Sequence, residues 1–278
     1  MELINRRRTF EGELRPLASL ARDINFDRDK LEATLPGALI RYDEEKKKSS
    51  EISLATSSGI IKKSKRRSPG KAIYEFLCLE VWHDLLENYS LAADNLRFMS
   101  PKPLGVTDLD LEKPAVLMEF MPGYSLKRLG SMKRSTPVKI KGQTFPLPVY
   151  PACALHLGAL DRIKEEEDLL HGDYAARHVM FSPLENVGIG VIDVENSRVE
   201  PVTELIDAER DFIFGRFKGL ASSPKDRDAI GAWYQQGADN LVIPEDSKRV
   251  RAVIDAIQKK YNVEFDMTNK KVNGVYVG

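Results

Sequence analysis

The residues best suited to chemistry lie in two stretches, Leu170-His171-Gly172-Asp173-Tyr174-Ala175-Ala176-Arg177-His178-Val179-Met180-Phe181 and Val191-Ile192-Asp193-Val194-Glu195. Each carries a carboxylate, Asp173 and Asp193, and a turn between two short strands brings such residues together although they stand apart in the chain. The arrangement suits phosphoryl transfer, where positioning and charge neutralisation do most of the catalysis. One carboxylate faces an attacking hydroxyl; the other holds a hard cation against the phosphates, since such cations prefer oxygen ligands. A Gly-Asp pair is also ordinary turn chemistry, so it is the Ile-Asp after a strand–turn–strand pattern that gives the first Asp its meaning. Glu195, two residues past Asp193, falls on the same side of an extended segment and offers a further ligand.

Several elements must position these residues. A long helix from about Tyr150 to Asp168 leads into His171, a short strand covers His178 to Phe181, Pro183 to Asn186 turn, and a second strand runs from Gly190 to Asp193. Before them, Ala38–Tyr42 and Glu51–Thr56 read as strands joined by a charged loop, with Ile60-Ile61-Lys62 a third. Ile73, Phe76, Leu77, Val81 and Leu85 have the spacing of an amphipathic helix reaching about Glu87, one face of which packs on the strands. Ala115–Phe120 is a buried-strand run ending at Met121-Pro122-Gly123, where a lobe boundary is placed. Pro137–Pro148 is a small hairpin turning near Gly142. Helical patterns cover Val202–Gly215, Asp226–Gln236 and Ser247–Tyr261, and the last dozen residues read as a polar tail. Residues 1–35 form a leader with a short helix around Leu14 to Ile24; no internal repeat is present.

The His-Gly-Asp stretch with its following Ile-Asp resembles the catalytic and metal-binding loops of the protein-kinase-like superfamily, in its RIO-like and aminoglycoside or choline kinase-like branches. The resemblance implies an α+β, bilobal fold with a small β-rich first lobe (1–121, leader included) and a larger, mainly helical second lobe (122–278). It implies Asp173 as catalytic base, with His171 beside it, and Asp193, Glu195 and His178 around the metal. In the first lobe it implies a strand lysine, Lys62, on the ATP phosphates, and a helix glutamate, Glu75, holding that lysine, with Glu80 in reserve. Met118, Glu119 and Met121 would form the hinge on the adenine, although core packing of these methionines fits equally. ATP and Mg²⁺, with Mn²⁺ as an alternative, are the implied cofactors. The acceptor is a hydroxyl of a protein Ser/Thr or of a small molecule.

Two departures from the family pattern stand out. His178 occupies the position where the family places a metal-binding Asn. It is an unusual ligand, or the metal is held by Asp193 and Glu195 alone, which is favoured, or activity is lost; a histidine fastening the loop by hydrogen bonds also fits. Where a glycine-rich phosphate loop is usual, the chain has Asp43-Glu44-Glu45-Lys46-Lys47-Lys48-Ser49-Ser50. A pseudokinase that binds nucleotide or a protein partner without efficient catalysis is therefore the alternative reading.

Composition narrows the rest. The 278 residues carry 42 Lys plus Arg against 42 Asp plus Glu, which argues against a general polyanion binder. That zero is unevenly divided: Lys62 to Lys71 hold six basic residues and no acid, whereas Asp161 to Asp211 hold 14 acids against 5 bases. Such runs either face each other across a cleft that holds a polyanion with its cations, or form two solvated faces. A nucleic-acid module built on the basic run ranks last, because no aromatic residue is interleaved in it. Cys78 and Cys153, far apart, read as small buried hydrophobes in a reducing compartment. With no apolar membrane-length run and no signal h-region, the expectation is a soluble cytoplasmic protein without membrane contact.

Overall fold

A computed structural model describes residues 50–55, 59–64, 69–91, 97–106, 115–119, 124–129, 137–140, 143–182, 188–200, 202–219, 221, 223–244 and 249–277, with the backbone alone throughout the strands at 50–64 and 137–148. The expected leader helix, the strand at 38–42 and the charged loop after it, and Met121, lie outside the described residues. In chain order the elements are β1 (Ser50–Ala55), β2 (Gly59–Ser64), α1 (Pro69–Leu86), β3 (Ser90–Leu91), β4 (Arg97–Met99), β5 (Pro103–Val106) and β6 (Ala115–Glu119). There follow β7 (Tyr124–Ser125), α2 (Leu126–Leu129), β8 (Pro137–Ile140), β9 (Gln143–Pro148), α3 (Val149–Glu166), β10 (Leu169–Leu170), β11 (Val179–Ser182), β12 (Gly188–Val191) and β13 (Arg198–Val199). The chain closes with α4 (Thr203–Lys218), α5 (Pro224–Asp239), β14 (Leu241–Val242), α6 (Arg249–Tyr261), β15 (Phe265–Asp266), β16 (Lys271–Val272) and β17 (Val275–Tyr276). The fold is mixed α+β, and the chain divides into two compact units: Met1–His83 with Pro101–Phe120 and Arg251–Gly278, and Asp84–Ser100 with Met121–Val250.

In the first unit β1, β2, β6 and β5 form a four-stranded sheet in that order. Proline at the first position of α1 suits a helix start, where its missing N–H costs nothing. Helix α1 differs from the one-faced helix expected of it: every residue from Ala72 to Trp82 is buried, Glu75 and Glu80 included. The C-terminal segment explains part of this. Residues read as a polar tail instead belong to a three-stranded sheet, β15-β16-β17, which buries Phe265, Met267 and Val272. Tyr74 packs edge-on against Phe265 at 5.5 Å between centroids, and Phe76 against Tyr261 at 5.4 Å. The Glu80 carboxylate accepts hydrogen bonds from the Tyr261 hydroxyl and, at 2.6 Å, from Lys260 Nζ, which is how a carboxylate is kept in this interior.

The second unit holds a six-stranded sheet of order β14-β3-β4-β12-β11-β7, in which β12 runs parallel to β4 and the other pairings are antiparallel. Helices α3 and α5 touch backbone to backbone. A Cβ placed on Gly158 would lie 1.9 Å from the Tyr234 carbonyl oxygen, and one on Gly237 would lie 1.7 Å from that of Leu155. Gly237→Ala therefore forces the two helices apart, and the chain is expected to lose about 2 kcal/mol or more despite alanine's better helix propensity. Gly215, on the exposed side of α4 with nothing within 4 Å of its missing Cβ, is the control: Gly215→Ala should add about 0.5–1 kcal/mol. Urea midpoints of the two variants should move in opposite directions.

Both cysteines are free and buried, and burial pushes their thiols up. His156, 1% exposed on α3 and edge-on to Phe181, is pushed down to about 4 by burial. The folded chain thus takes up this proton later on acidification than the unfolded chain, whose histidine titrates at 6.5. Stability is unaffected above pH 6.5 and falls as the pH drops towards 4, by about 3 kcal/mol from this group. His156→Leu should remove up to one proton from the slope of unfolding free energy against pH in that window. An unchanged slope in urea titrations from pH 7 to 4.5 would contradict the assignment.

Candidate functional site

The site grows from the end of α3. After Glu166 the chain turns through Asp168, at φ 52°, into β10, which pairs with β13 (Leu169 opposite Val199, Leu170 opposite Arg198). His171, Gly172 and Asp173 follow. Gly172 has φ 82°, and a Cβ there would lie 2.2 Å from the Asn196 carbonyl oxygen, so both the conformation and the space admit glycine alone.

His171 is fully buried. Its Nδ1 accepts from the Asp173 N–H at 3.3 Å, so Nε2 carries the proton and donates it to the Ile192 carbonyl at 3.0 Å. Burial, aided by the Lys164 ammonium, pushes this imidazole down to about 3 and keeps it neutral. One ring thereby joins the loop before Asp173 to the segment before Asp193, which is the work of a positioning residue. From α4, Glu209 accepts the backbone N–H of His171 at 3.0 Å and of Gly172 at 2.6 Å, and pairs with Lys164 Nζ at 2.9 Å. Lys164, fully buried on α3, lies 3.4 Å over the Tyr174 ring. Asp161, one turn earlier, accepts from the hydroxyls of Tyr174 (2.8 Å) and Tyr234 (2.7 Å), and burial raises its pKa. The loop is thus fixed from both sides by buried charge.

The antiparallel hairpin β11-β12, with Val179 opposite Val191, carries the second carboxylate. Its ladder extends one step further, the Ile192 N–H donating to the His178 carbonyl at 2.9 Å. Asp193 then enters the left-handed region at φ 63°, which aspartate tolerates better than most residues. The stretch holding Asp193 and Glu195 is accordingly not the extended segment expected: Glu195 and Asn196 form a turn. Even so, carboxylate oxygens of Asp193 and Glu195 lie within 4.8 Å of each other.

His178 stands between the two aspartates. Its ring is stacked on that of His171, at 6.1 Å and 19°. Nδ1 donates to the Asp173 carbonyl at 2.9 Å, while Nε2 lies 3.0 Å from Asp193 Oδ2 and accepts from Arg177 Nε at 2.9 Å. Arg177 also pairs with Asp173 Oδ2 at 3.0 Å. Ligand atoms of Asp173, His178 and Asp193 all lie within 4.8 Å of one another. Two carboxylates and an imidazole at that spacing are a donor set that fits a divalent cation. The loop-fastening role open to this histidine is real for Nδ1, and Nε2 is the nitrogen turned towards the carboxylate.

The remaining sequence candidates belong to the other unit. Lys62 is on β2, opposite Ile52 of β1 and Val116 of β6. Glu75 lies fully buried in α1, and Met118, 5% exposed, sits on β6 opposite Ile60 of β2 and Pro103 of β5. Glu119 ends β6 opposite Gly59. Lys164, Asp161, Glu209 and Arg177 were not among the candidates. The first two had a readable signal: Leu157, Leu160, Asp161 and Lys164 continue one helical stripe of α3, placing charges on its buried face. Nothing local marks Glu209, on a largely exposed helix.

No protein-family profile matches the chain, and no curated protein matches it in sequence. Among solved structures it is similar to the Rio2 kinase of Chaetomium thermophilum in an ADP/Mg²⁺-phosphoaspartate complex, at TM-score 0.48 and 15% identity, covering 87% of this chain and 77% of that one. It is similar to WaaP in complex with acyl carrier protein at TM-score 0.43 and 12% identity, over 90% and 97% of the two chains. A divergent kinase of Toxoplasma that lacks the glycine-rich loop matches at TM-score 0.42 and 13% identity, over 72% and 68%.

Proposed function

We propose that the chain is a metal-dependent phosphotransferase that moves the γ-phosphoryl group of ATP to a hydroxyl of a protein or small molecule. The observation that carries this reading is the approach of Asp173, His178 and Asp193 to within 4.8 Å on a loop held by buried charge. The motif resemblance supports it independently. Asp173, with 41% of its side chain exposed, is the base: it takes the acceptor's proton as the hydroxyl oxygen bonds to phosphorus and ADP leaves. Asp193, Glu195 and His178 would hold a divalent cation, Mg²⁺ or Mn²⁺, which supplies neutralisation of the phosphate charge. Lys62 would bind phosphates and Glu75 would orient it, with Met118, Glu119 and Met121 on the adenine.

A second reading, a nucleotide-binding pseudokinase, is favoured by two contacts of one side chain: Arg177 pairs with Asp173 and also occupies His178 Nε2. Thermal midpoints with ADP or ATP, each with Mg²⁺, Mn²⁺ or no metal, test the shared premise, because a ligand of the native state raises the midpoint by mass action. A metal-dependent rise is expected. No rise under any combination would end both readings, and a rise without ATP turnover on any metal would leave the pseudokinase.

A further inference from the structure

We infer that His178 is a cation ligand through Nε2, that Arg177 fills this ligand position until a cation displaces it, and that the site consequently selects a transition-metal dication such as Mn²⁺ over Mg²⁺. This rests on the phosphotransferase reading only in placing a cation at the loop.

The tautomer is set by geometry. The Asp173 carbonyl, 2.9 Å from Nδ1, can only accept, so Nδ1 carries a proton; Arg177 Nε, 2.9 Å from Nε2, can only donate, so Nε2 presents a lone pair. That lone pair lies 3.0 Å from Asp193 Oδ2, which is also an acceptor. Two acceptors this close offer a place for a cation, and Arg177 Nε now donates to Nε2 at 2.9 Å while its Nη2 pairs with Asp173. Donor atoms 3.0 Å apart can both bind one ion at about 2.1 Å, with about 90° between the two bonds. This is the angle between neighbouring ligands in an octahedral site. The ring is fixed for the purpose, 7% exposed and stacked on His171, whereas Arg177, with 59% of its side chain exposed, is free to swing into solvent. An imidazole nitrogen among carboxylates favours transition metals, while Mg²⁺ prefers oxygen donors and retained water.

The test uses the purified full chain without nucleotide. Pulsed EPR of bound Mn²⁺ should show coupling to a nitrogen nucleus in the unsubstituted protein and none in His178→Asn. Calorimetric titration should show the ratio of Mn²⁺ to Mg²⁺ affinity falling about tenfold in His178→Asn. Arg177→Gln should bind Mn²⁺ more tightly, and so should Arg177→Lys, which keeps the charge but loses the Nε donor. Absence of nitrogen coupling, absence of bound Mn²⁺ at millimolar concentration, or an unchanged affinity ratio would overturn the inference; the EPR readout needs no substitution and so survives a variant that fails to fold. The ADP-dependent thermal shift, measured in parallel, separates the two ideas. An intact shift with no nitrogen coupling removes this inference alone, whereas nitrogen coupling without any nucleotide shift removes the phosphotransferase and keeps the metal site.

Discussion

Asp173→Ala in the purified chain is expected to lower metal-dependent ATP turnover by about 10³-fold, with the fold and the ADP-dependent thermal shift retained. The size is that of losing a positioned base, typically 10²–10⁴. Retention of the fold follows from which atoms do the structural work. The Asp173 N–H donates to His171, and its carbonyl accepts from Ala175 N and His178 Nδ1, contacts that belong to the backbone and survive truncation of the side chain. The carboxylate itself is 41% exposed, and its partner Arg177 is more so; surface pairs of this kind contribute little. A loss of turnover therefore cannot be ascribed to unfolding, and unchanged turnover, set against the parent at equal protein concentration, would remove Asp173 from the chemistry.

Glu209→Ala should cost about 3–5 kcal/mol of stability, a size expected when one partner of a buried ion pair is removed. Two losses add. Lys164, with its side chain fully buried, is left without the carboxylate 2.9 Å from it, and the backbone N–H groups of His171 and Gly172 lose their acceptor. Lys164 Nζ makes no aligned hydrogen bond among the described residues, although it forms the close ion pair, so its stabilisation is chiefly Coulombic, with the Tyr174 ring beneath it. The double variant Lys164→Met with Glu209→Gln removes both charges and leaves an amide oxygen near the loop N–H groups. It should recover most of the loss, and urea unfolding of the two singles and the double would measure the coupling. If Glu209→Ala unfolds within 1 kcal/mol of the parent, the loop is held by something other than this carboxylate.

What could be read locally was largely read. The hairpin at Pro137–Pro148 is β8-β9, the helix into His171 is α3, and the two strands between the aspartates are β11 and β12, the turn expected between them lying outside the described residues. Each depends on residues close in sequence, where period and turn chemistry act directly. The misreadings concern long-range partners. Helix α1 gave five apolar positions for one face, yet its other faces are buried too, in part through Tyr74 against Phe265 and Glu80 against the Tyr261 hydroxyl, both partners more than 180 residues downstream. The same pairing makes a sheet of a segment whose polar residues looked like a tail. Nor is the acidic run from Asp161 to Asp211 simply solvated: Asp161 and Glu167 are buried, the latter accepting from the Tyr89 hydroxyl and the Val250 N–H.

By itself, then, the sequence determined that Asp173, His178 and Asp193 have the residue types for such chemistry, and that two short strands lie between the two aspartates. Residue type and short spacing suffice for that. Only the tertiary structure decided how they are arranged: that His178 turns Nδ1 to the loop and Nε2 to Asp193, that Arg177 lies on that nitrogen, and that Glu209 and Lys164 hold the loop from helices far apart in the chain. Hydrogen-bond direction and burial are properties of atoms brought together by packing, and no local pattern encodes which distant carboxylate will meet a given N–H.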